Sequence, residues 1–204
     1  NGFRQQGRDS CAGTRGDPLR SIEVLPGVAR PAFGDGVVIV RGAAPADTQV
    51  FFEGATLPLL YHFGAITSFM HPQLLERIEL FPGNFSVRYG RRTGGVVEVQ
   101  ARAPKKDGWH GTLDVNLIDA SLLLETPLTE KLSVVAALRR SYIDAFAKLF
   151  LADDYTNIVA PAYWDYQLIA NYEASKRDLI RLKIYGSHDL MRFDQLIPED
   201  DNPE

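Results

Sequence analysis

Four histidines, at positions 62, 71, 110 and 188, are the residues best suited to metal or acid–base chemistry in this chain, and their spacing argues against both. No His-Glu-x-x-His occurs, and the single cysteine, Cys11, has no second thiol with which to build a zinc site or a disulfide. Gly34-Asp35-Gly36 lacks the third glycine and the strand-before, helix-after setting of a dinucleotide loop. Asp153-Asp154 and Asp200-Asp201 have the oxygen chemistry of a calcium site, although acidic pairs of this kind also make ordinary solvated loops. The stretch PGNFSVRYGRRTGGVVEV, residues 82–99, crowds four glycines and three arginines together as a phosphate loop would. No Gly-Lys-Ser/Thr follows it, and the chain enters the strand-like Val96 to Val99 where a phosphate-binding helix should start. No Gly-x-Ser-x-Gly turn is present either. The expectation is a protein with no catalytic residues, no metal ligands and no cofactor, hence not an enzyme.

Composition narrows the partners. The chain has 204 residues, 45 % of them hydrophobic, which suffices for one or two domains with a core. Its net charge of −4 comes with no basic tract longer than two residues, so no nucleic-acid surface is expected. No apolar run approaches the ~18 residues of a membrane-spanning helix. The sequence opens on Asn1 without a hydrophobic signal segment, which reads as a mature protein or a piece of a longer one.

Residues 1–20, with Gly2, Gly7, Gly13 and Gly16, read as a flexible lead-in. Asp17-Pro18-Leu19 is a helix start, with Asp17 as cap and Pro18 in the first position, and Pro26-Gly27 ends that helix. Val37 to Arg41 and Gln49 to Phe52 read as strands, the second closed by Glu53-Gly54. Leu74-Leu75-Glu76-Arg77 reads as a helical turn leading into a strand from Ile78 to Phe81. Up to Ala103 the pattern is that of a small α+β globule. After residues 104–108 the texture changes to period-2 alternation. Trp109, Leu113, Val115 and Leu117 alternate with polar residues, as do Trp164, Tyr166, Leu168, Ala170 and Tyr172 with Asp165, Gln167, Asn171 and Glu173. Ile180 to Ile184, the longer apolar Leu132 to Tyr142 and the short Leu122 to Glu125 add further strands. Their lengths suit tilted membrane strands, and short polar turns at 126–131 and 174–177 contrast with a long connection at 143–161. A soluble β-sandwich has the same alternation, and periodicity alone favours it.

Order decides what periodicity leaves open. Pro26-Gly27-Val28, Val40-Arg41-Gly42, Phe51-Phe52-Glu53-Gly54, Leu75-Glu76-Arg77-Ile78-Glu79-Leu80 with Pro82-Gly83, and Arg88-Tyr89-Gly90 with Gly94-Gly95-Val96-Val97 resemble the ordered blocks of the plug domain of TonB-dependent outer-membrane receptors. The resemblance covers about residues 13–103. It departs from the family at Glu53, where Asp is usual, and at Phe81-Pro82-Gly83-Asn84, where Arg-Gly-Pro is usual.

That resemblance implies a lead-in at 1–20, a plug at 21–103, and, from 104 to 204, the first antiparallel strands of an outer-membrane β-barrel. About five strands are legible where such a barrel needs roughly 22, so an incomplete barrel is expected, with no TonB-box-like segment in residues 1–20. The implied function is binding of a scarce, siderophore-like or other small ligand at the outer membrane of a Gram-negative bacterium. Import would be driven through a periplasmic TonB-type partner. A receptor of the same build that signals, adheres or exports is the alternative. Ligand identity lies largely in barrel loops beyond this sequence. Gly42, Gly54, Gly83, Tyr89, Gly90, Gly94 and Gly95 belong to the plug motifs, the last four supplying tight turns where a Cβ would clash or φ is positive. Arg41 and Arg77 are the implied contacts of plug with barrel wall, while strand-end capping or pairing within the plug is the plainer role for each. Tyr61, His62 and Phe63 fall in the region that rises toward the ligand in the family. They serve either a flat or chelating ligand or simply the plug core, with His62 hydrogen-bonded there.

Overall fold

The computed structural model describes residues 3–6, 17–29, 38–58, 60–63, 66–90, 93–145 and 157–195. Cys11, Gly34-Asp35-Gly36, Arg91, Arg92 and both acidic pairs lie outside the described residues.

In chain order the first part contains β1 (Phe3–Gln6), β2 (Val28–Ala29), β3 (Ile39–Val40), β4 (Gln49–Phe52), β5 (Ala55–Leu57), β6 (Tyr61–His62), β7 (Thr67–Ser68), β8 (Leu75–Phe81) and β9 (Val96–Ala101). Five of these make a mixed sheet in the order β1-β8-β9-β4-β5, parallel only between β4 and β9. β2 with β3 and β6 with β7 form small antiparallel ribbons over it. Leu19, Ile22, Leu60, Leu74, Ile78 and Val99 are at most 1 % exposed and form the centre of the globule's core.

Among the described residues helix content is limited to short 3-10 segments and the α-helical residues 143–145. Pro18–Val24 is capped as its sequence suggests: the Asp17 carboxylate accepts from the Leu19 amide at 3.1 Å, and its other oxygen accepts from the Ser68 amide at 2.7 Å, tying β7 to the helix start. The helical turn expected at Leu74 to Arg77 is displaced. It occupies Pro72–Leu74, capped by His71, and Leu75 already pairs with Ala101, because Pro72 fixes the first helical φ and Leu75 belongs to the core. Phe3–Gln6, read from its glycine-rich context as part of a flexible lead-in, is instead the edge strand beside β8. Main-chain pairing asks little of the sequence there.

Glycine in the 82–99 stretch serves close packing. A Cβ on Gly95 would lie 2.6 to 2.9 Å from the buried Val40 side chain, and one on Gly94 would lie 2.9 Å from Ala43 and 3.1 Å from the Asp47 carbonyl. Gly90 meets neither condition, since its φ is ordinary and a Cβ would touch nothing within 4 Å. Tyr89 carries that corner: it is 7 % exposed, packs on Phe51 at 5.0 Å between ring centres and donates its hydroxyl to Glu98.

The second part is an antiparallel meander of β10 (His110–Val115), β11 (Asp119–Pro127), β12 (Leu132–Ser141), β13 (Asn157–Glu173) and β14 (Leu179–Gln195). Short turns join β11 to β12 and β13 to β14 at one end, and the long 142–156 connection lies at the other. The pleat separates two sets of side chains. Leu138 at 55 %, Trp164 at 42 %, Leu182 at 54 % and Ile184 at 45 % exposure stand on one face, whereas Glu125, Arg139, Asp165, Gln167 and Asn171 are buried on the other, against the globule. The buried face also carries Leu123, Val135, Ala137 and Ile169, which join the core, so an exposed apolar face stands opposite an inner face of mixed polar and apolar side chains, a pattern that a barrel wall around a plug would have. Trp164 and Tyr172 bracket the apolar face about 27 Å apart along β13, or roughly 20 Å once a strand tilt near 40° is allowed.

Replacing Gly95 by Ala is expected to cost about 1–3 kcal/mol by overpacking against Val40, and Gly90→Ala under about 0.5 kcal/mol. Denaturant midpoints of the full-length protein at constant m-value check this, and equal midpoints for the two variants would contradict it.

Candidate functional site: the seam between globule and wall

Burying polar side chains on the inner face of β11 to β13 leaves carboxylates and the Arg139 guanidinium away from water, and each needs partners. The globule supplies them in two clusters.

The first lies toward the long-connection end. Asp165 of β13 is 2 % exposed and accepts from Arg139 of β12 at 2.8 Å through Nε and 2.6 Å through a terminal nitrogen. Arg139 also donates to the Thr67 hydroxyl at 2.9 Å and to the Ser68 carbonyl, so a wall side chain satisfies β7 of the globule. Gln167 continues the row, donating to the Phe69 carbonyl at 2.8 Å and accepting from the His71 amide at 3.1 Å. His62 enters from the hairpin β6–β7. Its Nε2 lies 3.1 Å from Asp165 and its Nδ1 2.5 Å from Asp189 of β14, and its ring stacks on Tyr163 at 4.5 Å with a 13° tilt. The Tyr163 hydroxyl donates in turn to Asp119 of β11. His71, 4 % exposed, has its pKa pulled down to about 4 by burial and then by the Arg139 guanidinium, so its ring is neutral and its Nδ1 accepts from the Gln73 amide at 3.3 Å.

The second cluster sits where the chain passes from globule to wall. Glu125 of β11, whose side chain is 1 % exposed, takes a two-pronged bond from Arg102 at 2.7 and 2.8 Å and a third from the Lys105 amide at 3.0 Å. Lys105 Nζ stands 3.4 Å away, and Lys106 pairs with Glu173. Between the clusters Lys183 of β14 meets Glu53 at 2.5 Å, and Phe52 packs edge-on to Tyr185 at 4.9 Å.

The residues singled out in the sequence are distributed unevenly over this seam. His62 is at its centre. Tyr61 is a core residue, 2 % exposed, with its hydroxyl on the Leu19 carbonyl at 3.1 Å. Phe63 is half-buried, 6.5 Å from Tyr163 between ring centres. Neither Tyr61 nor His62 offers surface to a ligand in this arrangement. Arg41 and Gly42 form a tight turn, both with positive φ, and Arg41 is exposed. Glu53 and Gly54 form the equivalent turn of the β4–β5 hairpin. Gly83 lies beside the Arg41 side chain. Arg77 donates to Gln100 at 2.8 Å and lies 3.5 Å from Glu79, with its buried Nε unpaired among the described residues. Neither arginine meets a wall carboxylate among the described residues. Sequence reasoning missed Arg102, Glu125, Arg139, Lys183 and Asp189 as seam residues. The available signal was the polar alternation of β13, which marks Asp165 and Gln167 as inward groups in need of partners.

The family model for the TonB-dependent receptor plug domain matches residues 2–97. In structure the chain is similar to the ferric enterobactin receptor PfeA of Pseudomonas aeruginosa, solved as a mutant with enterobactin. The identity is 18 % and the TM-score 0.61 over 86 % of this chain and 31 % of that one. It is similar as well to the ferric citrate transporter FecA in unliganded form, at 15 % identity and TM-score 0.57 over 91 % of this chain and 31 % of FecA. The ferric yersiniabactin uptake receptor FyuA of Yersinia pestis gives 12 % identity and TM-score 0.57 over 93 % of this chain and 31 % of FyuA. At these identities the likeness is one of fold, and the chain spans about a third of the length of each of these receptors. No curated protein matches the sequence.

Because Glu125 is buried and Arg102 half-buried in a bidentate pair, removing either partner alone in the full-length protein is expected to cost about 1.5–3 kcal/mol, and replacing both by Met and Leu far less. A double-mutant cycle on unfolding free energy reads this directly. Additive single and double changes would show that the pair does not hold the seam.

Proposed function

We infer that residues 2–97, matched by the family model of the TonB-dependent receptor plug domain, form such a plug and that the strands from β10 onward begin the barrel around it. From that premise we propose that the chain is the N-terminal part of an outer-membrane transporter that captures a scarce ligand and imports it with energy drawn from the inner membrane. The observation that carries the reading is the two-sided sheet: an exposed apolar face fit for lipid on one side, and on the other a row of buried charged and polar groups bonded to the globule.

A closed path explains why energy is needed. Ligand held at nanomolar affinity sits in a well of about 12 kcal/mol and leaves slowly without work done on the protein. A periplasmic TonB-type partner supplies that work by pulling the plug from the wall, against contacts such as those of Arg102 and Arg139. Arg41 and Arg77 are proposed to complete the locking set against carboxylates elsewhere in the barrel, and the unpaired Nε of Arg77 supports this. Phe63 is proposed to meet ligand at the plug's outer side, with Tyr61 and His62 reached only once the plug has moved. Ferric chelates, the ligand class of the receptors PfeA, FecA and FyuA, are the ones to try first.

Accumulation of radioactive iron, presented as a panel of ferric chelates to cells with and without the full-length gene, tests this. Receptor-dependent uptake abolished by a protonophore is expected. Binding without protonophore-sensitive uptake for every chelate and for labelled solutes of spent medium would favour signalling or adhesion.

Placement of the apolar face in lipid makes a second prediction. Leu168→Lys, if near the bilayer midplane, should destabilise the full-length receptor in vesicles by about 2–4 kcal/mol, and Ser187→Lys on the opposite face far less. Equal losses would remove the membrane assignment of β13.

A further inference from the structure

We propose that the outer face of the wall carries a site for one anionic, phosphate-bearing lipid, with Arg140 at the headgroup and a groove across β10 to β13 beneath it for the chain. The inference rests on the proposed placement of this face in lipid.

Strand register builds the site from two neighbouring rows of side chains. Ala120, Arg140, Trp164 and His188 are successive cross-strand partners from β11 to β14, and Leu113, Leu122, Leu138 and Tyr166 are the partners of the next row, from β10 to β13. The short side chain of Ala120 leaves room among its longer neighbours. An open groove of about 520 Å³ lies there, lined by Leu113, Ala120, Leu122, Leu138, Arg140 and Trp164. Its polarity is ordered along the strands. The cation and the indole lie toward the long 142–156 connection, the side that faces outward in such barrels, and the leucines lie toward the middle of the sheet. A lipid has the same order, with its phosphate at the surface and its chain below.

Arg140 is free to take an anion. On the outer face of β11 to β13 it is the one charged side chain among the described residues, and that side chain is 67 % exposed. The carboxylate beside it, Asp144, stands 3.8 Å away, beyond hydrogen-bond reach, so the guanidinium donors have no partner among the described residues. Its neighbour Arg139, on the inner face, uses all three nitrogens on Asp165, Thr67 and Ser68. A guanidinium fork matches two phosphate oxygens at once. Trp164, directly across from Arg140, stacks on Tyr166 at 5.8 Å and lies 6.1 Å from His188, which puts a cluster of amphipathic rings at the level where a membrane meets water. At that level an arginine on the lipid face costs little, whereas at the midplane it is costly.

The test places the full-length receptor in vesicles of mixed phosphatidylcholine and phosphatidylglycerol, with bromine on the chains of one lipid or the other. Quenching of Trp164 is read as the fluorescence difference between the parent and Trp164→Phe. Both brominated lipids should quench, with phosphatidylglycerol favoured by about fivefold at this position. The preference should vanish when the same difference is taken in Arg140→Gln. It should persist in Lys176→Gln, which removes an exposed cation from the short turn at the opposite end of the sheet. Inorganic phosphate at constant ionic strength should not displace the lipid, and displacement would assign Arg140 to a free anion instead. Equal quenching by the two lipids in the parent, or a preference that survives Arg140→Gln or falls as far in Lys176→Gln, would overturn the site while leaving the sheet in lipid. Absence of quenching by either lipid would overturn the lipid placement itself, and the site with it.

Discussion

Asp165 is an ionisable group 2 % exposed on the inner side of a β-sheet, and the requirement that such a group be paired governs the whole arrangement. Its partners come from three directions: Arg139 along the wall, Gln167 two residues on, and His62 from the plug. Remove the plug and Arg139 loses the Ser68 carbonyl, while Gln167 loses the backbone groups of Phe69 and His71. The wall and the plug thus complete each other's hydrogen bonding.

The two clusters of the seam have different mechanical standing. Arg102, Lys105 and Lys106 belong to the segment that runs into β10, so the pairs with Glu125 and Glu173 anchor a stretch already tied to the wall by the chain itself. His62, Ser68 and His71 are tied to it by side chains alone, across more than 70 residues of sequence. A force on the plug meets the second group as reversible bonds and the first as a tether. Glu53 falls between them: where the family usually has Asp, the longer side chain here bonds the Ala101 amide and reaches Lys183.

Much of this was legible in the sequence, and the limits have physical causes. Alternation at Trp164 to Glu173 gave the faces of β13 because side-chain direction in a strand follows from parity alone. The cramped site of Gly94 and Gly95 was legible because four glycines beside a β-branched run call for a close approach, yet the same argument failed at Gly90, where no neighbour comes near. Partner identity was hidden for a different reason. His62 and Asp165 are 103 residues apart, and no local pattern records which polar group of a plug meets which strand. Arg102 looked like part of a linker, and only its bidentate bond to a buried glutamate shows it as an anchor.

The central claim is that β13 has lipid on one side and the plug on the other. Spin labels placed singly at positions 164 to 172 of the full-length receptor in vesicles test it most directly, through collision with oxygen, which concentrates in lipid, and with a water-soluble nickel chelate. Oxygen accessibility should alternate with period two, high at 164, 166, 168, 170 and 172, with positions 165, 167, 169 and 171 shielded from both reagents. A uniform profile, or nickel access at the even positions, would contradict the account.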